Sequence, residues 1–238
     1  MPERDTDGAL GAQGASQAVP PTDDPGRLER AEALVRAARS QGVTDQRVLE
    51  AVRTVPRALF LPGELREEAG YDYAISIGRD QTTSQPSLIA LMIEALALKP
   101  DDTVLEIGTG LGYEAALIAR LTRHVFSVER IHELAEAACR NLAAACVLNA
   151  DVVTGDGTLG LPGSAPFDAI VVAAAFLDVP PPLCEQLRLG GRLVMPVGNG
   201  GGDLVTLFEK SPSGLVERRV LCRARFVPLL GANGFSPR

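Results

Sequence analysis

The stretch VLEIGTGLGY, residues 104–113, constrains the fold of this chain more than any other part of its sequence. The apolar run of residues 103–107 predicts a buried parallel strand, and the segment EAALIARL after the glycines predicts a helix. Three glycines occupy alternate positions from Gly108 to Gly112. Such a turn lets backbone N–H groups approach a ligand, and the helix N-terminus adds partial positive charge. The pattern predicts an α/β nucleotide-binding unit, although a tight turn without a ligand has the same glycines.

Acidic residues at the ends of successive predicted strands indicate which ligand the turn holds. Glu106 ends the first strand, Glu129 closes a second over residues 124–128, and Asp156 follows a third over residues 150–154. Carboxylates at these places can accept hydrogen bonds from ribose hydroxyls and from an adenine amino group. The G-x-G-x-G spacing also differs from the dinucleotide pattern G-x-G-x-x-G. S-adenosylmethionine therefore fits better than NAD, and an NAD-dependent oxidoreductase is the weaker alternative.

Composition limits the classes of protein to which the chain can belong. Its 238 residues are 46% hydrophobic, enough for one sizeable α/β core. The formal net charge of −7 argues against nonspecific nucleic-acid binding, because little would neutralise phosphates. No apolar run approaches the roughly 18 residues of a membrane span, and the N-terminus lacks a signal-peptide pattern. We expect a cytoplasmic protein without membrane contact.

The metal-binding and nucleophilic residue types are few and scattered. Four cysteines show no C-x-x-C pair, which predicts reduced, mostly buried thiols rather than a zinc site or a disulfide framework. The two histidines, His124 and His132, begin a predicted strand and lie on a predicted helix. Neither is a natural general base, and we expect no metal.

Hydrophobic periodicity and breakers divide the chain into a tail and one domain. Residues 1–26 have almost no bulky apolar side chains and are predicted to be disordered. Two amphipathic helices, over residues 27–39 and from Asp45 onward, predict a helical cap. The predicted single domain covers residues 27–235, with the cap at 27–62, a polar segment at 76–86, a ligand-binding core at 99–198 and C-terminal strands at 203–235.

The remaining elements complete a mostly parallel, doubly wound sheet. Residues 130–148 predict a helix and residues 166–172 a buried strand. Gly190-Gly191 predicts a tight turn into a strand over residues 193–197, and the last strands predict an antiparallel hairpin. The fold class is therefore α/β, with the helical cap at one end and the hairpin at the other.

Several motifs together resemble those of protein-L-isoaspartate O-methyltransferases, over about residues 55–229. In the order of that family the chain has VPRALFLP, QTTSQP, VLEIGTGLGYEAALIA, FSVER, GDGTLGLP, PFDAIVV, QLRLGGRLVMPVG and FVPL. QTTSQP followed by EIGTGxGY is specific to that family, whereas the glycine motif alone indicates only some class I methyltransferase. The resemblance implies a Rossmann-like class I fold. It also implies methyl transfer from S-adenosylmethionine to the α-carboxylate of L-isoaspartyl residues in damaged proteins and peptides, which initiates repair through a succinimide.

The resemblance also implies roles for particular residues. Ser84 falls on the serine whose hydroxyl contacts the substrate carboxylate, so it is the candidate catalytic residue. The implied cofactor-binding residues are Gln81, Thr82, Thr83, Glu106, Gly108, Thr109, Gly110, Gly112, Glu129, Arg130, Asp156 and Gly157. The implied substrate-binding residues are Ile77, Gly78, Val227, Pro228 and Leu229. Glu129 would hold the ribose and Asp156 the adenine.

Ser84 also has a simpler interpretation. A serine just ahead of a helix that starts with proline is often an N-terminal cap, and the local pattern alone favours that role. The family resemblance favours the substrate role instead. Both roles can hold at once.

The segment before Ser84 departs from the family pattern. Ser76 replaces a usual proline, Thr83 a common isoleucine, and the charged pair Arg79-Asp80 occupies positions that are usually small. The pair is either part of an altered substrate entrance or a solvent-exposed ion pair. Two alternatives stay open: an aspartyl methyltransferase that acts on one dedicated peptide to form an aspartimide, and a cofactor-binding adaptor without catalysis. The expected partners are isoaspartyl-containing proteins or peptides, and the expected oligomeric state is a monomer.

Overall fold

The computed structural model describes Asp24 and residues 26–199 and 201–236 of the chain. The disordered tail predicted for residues 1–26 lies outside the described residues except for Asp24 and Gly26. The helices are α1 (Arg27–Ser40), α2 (Gln46–Thr54), α3 (Pro86–Leu96), α4 (Tyr113–Ala119), α5 (His132–Ala144) and α6 (Pro181–Gln186). Short 3₁₀ helices cover Arg57–Phe60, Gly63–Gly70, Gly157–Leu159 and Pro162–Ser164.

Nine strands of the described residues form two sheets, one of seven strands and one of two. The strands are β1 (Ile75–Gly78), β2 (Gln81–Thr83), β3 (Thr103–Ile107), β4 (His124–Glu129), β5 (Ala150–Thr154), β6 (Phe167–Val172), β7 (Leu187–Val197), β8 (Asp203–Ser211) and β9 (Gly214–Ala224). The main sheet has the order β5-β4-β3-β6-β7-β8-β9, and β1 pairs only with β2. The first five strands of that order are parallel, whereas β8 and β9 are antiparallel to their neighbours. The strand order reverses at β3, the kind of point at which open α/β sheets bind ligands.

Alternate residues of the strands enter two separate hydrophobic cores. Val104 of β3 packs with the side chains of α1 to α4 on one face of the sheet. Leu105 and Ile107 pack with α6 on the other face. This alternation follows from the two-residue period of a strand, and its presence on both faces requires helices on both. The predicted doubly wound α/β fold with a C-terminal antiparallel hairpin is confirmed.

The N-terminal cap is helical, as predicted. Asp45 caps α2, because its carboxylate accepts a hydrogen bond from the backbone N–H of Arg47 at 2.8 Å. Buried side chains of α1 and α2, including Leu34 and Leu49, join the core that contains α3 and α4. The two cap helices therefore share one hydrophobic core with α3 and α4.

Two local predictions differ from the structure. The helix predicted over residues 130–148 is shorter, at His132–Ala144, because the Glu129 carboxylate binds the backbone N–H of Ile131 and holds the turn before the helix. The Gly190-Gly191 pair lies within β7 and does not form a tight turn. A Cβ atom on Gly191 would lie 2.9 Å from the backbone oxygen of Asp168, so close approach to β6 explains the glycine.

The four cysteines differ in their exposure to solvent. All four cysteines are free thiols, but Cys139 and Cys146 are exposed and the other two are half-buried, so the prediction of mostly buried thiols is wrong. Cys139 lies on an exposed position of α5, and Cys146 takes a left-handed backbone conformation just after that helix.

Within the described ranges, no helix has the length and apolar character needed to cross a bilayer.

Candidate functional site

A cavity opens at the carboxyl ends of β3, β4 and β6. Its wall combines side chains from the cap, the QTTSQP segment, the glycine turn and the C-terminal segment. The lining residues are Arg57, Phe60, Leu61, Ile77, Gln81, Thr82, Thr83, Ser84, Ile89, Ile107, Gly108, Thr109, Gly110, Leu111, Tyr113, Glu114, Val128, Glu129, Arg130, Leu134, Gly157, Ala173, Ala174, Val227, Pro228, Leu229 and Leu230.

Most of the predicted site residues line this cavity. The exceptions are Gly78, Glu106, Gly112 and Asp156, which lie next to lining residues but do not themselves line it. The fold thus brings together segments that are up to about 150 residues apart in sequence, from Ile77 to Leu229.

The glycine turn forms the floor of the cavity between β3 and α4. Gly108 has a φ of 97°, and its backbone N–H donates to the oxygen of Val128 at 2.9 Å. A Cβ atom on Gly108 would lie 3.4 Å from the Cβ of Ala173 across the cavity floor. The positive φ therefore favours glycine, whereas a Cβ atom would make only an ordinary van der Waals contact. The result is a cradle of bare backbone that a ligand can approach closely.

Glu129 presents a fixed carboxylate to the cavity. Its Oε2 accepts the backbone N–H of Gly110 and its Oε1 that of Ile131, both at 2.9 Å. The side chain is only 5% exposed, so these two bonds fix its direction. Each carboxylate oxygen keeps a further lone pair. Glu129 can therefore accept hydrogen bonds from a vicinal diol such as a ribose.

Two more acids lie under and beside the glycine turn. Glu106 is 0% exposed and accepts a hydrogen bond from the hydroxyl of Ser127. Glu114 is 6% exposed and lines the cavity. Burial raises the pKa of Glu106 to about 8 and, with the repulsion from Glu106, raises the pKa of Glu114 well above its usual value. Glu114 was not among the predicted site residues, although an acid on the buried face of an apolar helix is a readable signal.

Asp156 uses its carboxylate within the chain. Its Oδ1 accepts the backbone N–H and the hydroxyl of Thr158, at 2.9 and 2.6 Å, and its Oδ2 accepts the backbone N–H of Ala232 at 2.7 Å. Partial burial opposes ionisation, but these hydrogen bonds outweigh it and lower the pKa of Asp156. The carboxylate joins the 3₁₀ turn after β5 to the C-terminal segment, while Gly157 beside it lines the cavity.

Ser84 does not cap α3. The N-cap residue is Gln85, which makes no side-chain cap hydrogen bond. The carboxylate of Asp72 serves the helix instead, because it accepts the backbone N–H of Ser87 at 2.8 Å and the Ser87 hydroxyl at 2.7 Å. Within the described residues the Ser84 hydroxyl makes no hydrogen bond, and it lines the cavity. The capping interpretation is wrong, and the hydroxyl is available to a ligand.

Arg57 is a site residue that the sequence predictions missed. It is 4% exposed, yet it has no ion pair with a carboxylate among the described residues. Its guanidinium donates to the backbone oxygens of Tyr71 at 2.7 Å and Tyr73 at 3.2 Å, and to the hydroxyl of Thr83 at 3.3 Å. Burial lowers the pKa of Arg57. The arginine of VPRALFLP thus fixes the strand that leads into Ser84.

The Arg79-Asp80 pair forms the turn between β1 and β2. Both residues have a positive φ, 55° and 57°, as a two-residue hairpin turn requires. Arg79 pairs with Glu133 of α5, with 2.9 Å between Nη2 and Oε1. Arg79 therefore forms a solvent-exposed ion pair, but its partner is Glu133, so the interpretation in which Arg79 and Asp80 pair with each other is wrong.

The C-terminal residues Val227 to Leu229 close the site from the side of β6. The backbone N–H of Ala175 donates to the oxygen of Val227 at 2.8 Å, and that of Leu229 donates to the oxygen of Ala175 at 2.7 Å. These bonds fix the segment against the loop after β6. Among the described residues, no group of three or more His, Cys, Asp or Glu side chains could hold a metal ion.

Comparisons with known proteins show similarity to one family over most of the chain. The family model described as protein-L-isoaspartate (D-aspartate) O-methyltransferase matches residues 29–234. A protein named protein-L-isoaspartate O-methyltransferase from Methanoculleus marisnigri is 49% identical over 214 residues, which cover 90% of this chain and 96% of that protein. A protein of the same name from Koribacter versatilis is 44% identical over 210 residues, covering 88% and 94%.

Two solved structures are similar over most of the chain. One, named protein-L-isoaspartate O-methyltransferase, is 32% identical with a TM-score of 0.75, and the match covers 85% of this chain and 66% of that one. The other is a putative protein of this kind from Plasmodium falciparum in complex with S-adenosyl-L-homocysteine. It is 21% identical with a TM-score of 0.72, covering 84% of this chain and 98% of that one, and it supports the fold alone.

Proposed function

We propose a carboxyl methyl transfer for this chain, which belongs to the protein-L-isoaspartate (D-aspartate) O-methyltransferase family. The methyl donor is S-adenosylmethionine, and the acceptor is the α-carboxylate of an L-isoaspartyl residue in a damaged protein or peptide. One observation carries the proposal: the unbonded Ser84 hydroxyl, the glycine cradle and the Glu129 carboxylate face one cavity.

The residues present fit the donor. Glu129 suits the ribose diol, Gly108 and Gly110 give close backbone approach, and Glu114 supplies an unpartnered buried carboxyl near the place of a cationic amino-acid portion. S-adenosylmethionine, when bound, supplies an electrophilic methyl group on a sulfonium. The Oδ2 atom of Asp156 accepts one hydrogen bond, from Ala232, and keeps a lone pair for the adenine amino group, while the neighbouring Gly157 lines the cavity.

The acceptor side needs orientation more than proton transfer. A carboxylate with an ordinary pKa near 4 is already ionised at neutral pH, so no strong general base is required. Neither His124 nor His132 lines the cavity, which agrees with that requirement. Ser84 donates its hydroxyl hydrogen to one carboxylate oxygen and directs the other toward the methyl group. Arg57 holds Thr83, and with it the strand before Ser84. Such positioning can supply several kcal/mol of the barrier reduction.

Repair follows from the chemistry of the ester. The methyl ester has a better leaving group than the carboxylate, so the neighbouring peptide nitrogen attacks the ester carbonyl and expels methanol. The resulting succinimide takes up water and opens partly to a normal aspartyl residue. The enzyme therefore acts only in the first step.

The alternatives have less support. An aspartyl methyltransferase with one dedicated peptide substrate has no support from the relatives, whose names specify isoaspartate. A cofactor-binding adaptor would not need a serine hydroxyl without an internal partner at the end of the cavity. Action in the cytoplasm, as a monomer and without nucleic acid, is part of the proposal. The net charge of −7 supports its last point.

Two assays test the proposal. Labelled S-adenosylmethionine should transfer its methyl group to an isoaspartyl peptide as a base-labile ester, which separates carboxyl from nitrogen methylation. Calorimetry should show binding of S-adenosylhomocysteine and none of NAD. Binding of S-adenosylhomocysteine without any ester would favour the adaptor, and binding of NAD in its place would overturn the cofactor assignment.

A further inference from the structure

We propose that Glu106 and Glu114 form an acid pair that holds a proton in the free protein and releases it when a ligand's α-ammonium group binds beside Glu114. The proposal rests on the proposed function, since the ligand is S-adenosylmethionine or S-adenosylhomocysteine. Glu114 then determines how tightly the amino-acid portion of the cofactor is held. The methyl transfer proposed above does not itself require such an acid pair.

The two acids lie on opposite sides of the glycine turn. Glu106 is near the carboxyl end of β3, and Glu114 is in the first turn of α4. The Oε2 atom of Glu106 accepts from Ser127, but the Oε1 atoms of both acids are buried and have no partner in the described part of the chain. Two unsatisfied carboxyl oxygens are costly to bury, and the charge of Glu106 raises the pKa of Glu114 further. A retained proton lowers both costs.

The other charged groups around the pair do not replace a cation. Glu129, on the neighbouring β4, adds a negative charge and further raises the pKa of Glu106. Tyr113 stays neutral, because burial raises its pKa to about 12. Neither acid forms a salt bridge with an arginine or lysine of the described residues, although Arg57 and Arg130 line other parts of the cavity. The positive charge of Arg57 partly offsets the rise in the pKa of Tyr113. Its guanidinium donates hydrogen bonds to backbone oxygens and to the hydroxyl of Thr83.

A cationic ligand supplies what the site lacks. Glu114 lines the cavity, whereas Glu106 lies behind it. An ammonium group beside Glu114 favours the ionised carboxylate, so the proton leaves the pair for the solvent. Loss of the proton adds one negative charge to the acid pair, and the positive charge of the ammonium group balances it. A ligand with the same nucleoside but no amino-acid portion, such as 5′-methylthioadenosine, gives no such release.

Calorimetry measures the released proton directly. Titration of the protein with S-adenosylhomocysteine in phosphate and in Tris, which differ in heat of ionisation, gives the number of protons exchanged. We expect release of a large fraction of one proton at pH 7, and affinity that rises by up to about tenfold per pH unit between pH 6 and 8. 5′-Methylthioadenosine should bind without release. Equal release with both ligands would overturn the proposal.

Substitution identifies the group that releases the proton. Glu114→Gln should bind S-adenosylhomocysteine with no proton release and with a flat pH profile, whereas the exposed Glu133→Gln, on α5, should match the wild type. Undiminished release from Glu114→Gln would contradict the proposal. The comparison of two ligands on the wild-type protein decides the matter even where the variant does not fold. Absence of S-adenosylhomocysteine binding would instead contradict the proposed function.

Discussion

At the scale of single residues, the Ser84 hydroxyl separates the catalytic account from a structural one. Three residues later, Ser87 carries the same hydroxyl but bonds it to Asp72 at the start of α3. Replacement by alanine therefore removes the same hydroxyl group at both positions, but from two different environments. One hydroxyl faces the cavity and the other completes a helix start.

Ser84→Ala should lower turnover with an isoaspartyl peptide by about a hundredfold, as for loss of one well-placed hydrogen-bond donor. Affinity for S-adenosylhomocysteine should stay within about twofold. The matched control, Ser87→Ala, should instead lower the free energy of unfolding by about 1 kcal/mol and spare turnover. Parallel losses of turnover and cofactor affinity in Ser84→Ala would indicate a structural role.

Arg57 is the residue on which the approach to Ser84 depends. Arg57→Met should lower the free energy of unfolding by about 2–4 kcal/mol, because it leaves the backbone oxygens of Tyr71 and Tyr73 without their donors. The exposed Arg36→Met, on α1, should change stability by less than about 0.5 kcal/mol. Urea unfolding measures both. Equal stability of the two variants would show that the buried guanidinium is dispensable.

At the scale of elements, the tip of the β1–β2 hairpin is joined to α5 by Arg79 and Glu133. Both side chains are about half exposed, at 52% and 56%. A double-mutant cycle with alanine at each position should therefore give a coupling energy below about 1 kcal/mol, and it should weaken in 1 M salt. A coupling energy near 3 kcal/mol would mean that this contact holds the hairpin closed over the site.

The elements themselves were largely predictable, because their signals are local. The strands over residues 103–107 and 150–154 have the bounds that the pattern predicts. The start of α3 was predicted to within one residue, but its stabilising group was not, since the carboxylate of Asp72 comes from a loop 15 residues before Ser87. The tight turn predicted at Gly190-Gly191 was wrong for a similar reason, because the close approach of β6 explains the glycine at position 191.

The site residues also divide into those with a local sequence signal and those whose roles depend on distant segments. Glu129 was predictable because strand ends of a parallel sheet meet at one edge, and the acid follows an apolar strand. Arg57 and Glu114 were missed because their roles depend on burial by distant segments. A sequence pattern shows that a charged residue is present but not that it is enclosed without a partner.

At the scale of the whole molecule, Glu106 affects the pH dependence of stability. Burial raises its pKa to about 8 from the ordinary 4.5 that it regains on unfolding. Between these values the folded state binds more protons than the unfolded state, so the stabilisation is complete below pH 4.5 and is lost as the pH rises through 8. The slope from this group is at most about 1.4 kcal/mol per pH unit.

Glu106→Gln removes that slope, because glutamine does not titrate. Urea unfolding between pH 5 and 8 should therefore show a weaker fall in stability with pH than in the wild type. Glu133→Gln serves as the exposed control and should follow the wild-type curve. Parallel curves for Glu106→Gln and wild type would show that Glu106 titrates normally in the folded protein.

The most direct test of the central claim compares two peptides that differ only in the linkage of one aspartyl residue. Methyl incorporation from labelled S-adenosylmethionine is measured with the isoaspartyl peptide and with its normal aspartyl counterpart. The account predicts base-labile methyl ester on the isoaspartyl peptide and only background incorporation on the other. Equal methylation of both peptides, or of neither while S-adenosylhomocysteine still binds, would contradict the assignment of this cavity to isoaspartyl carboxylates.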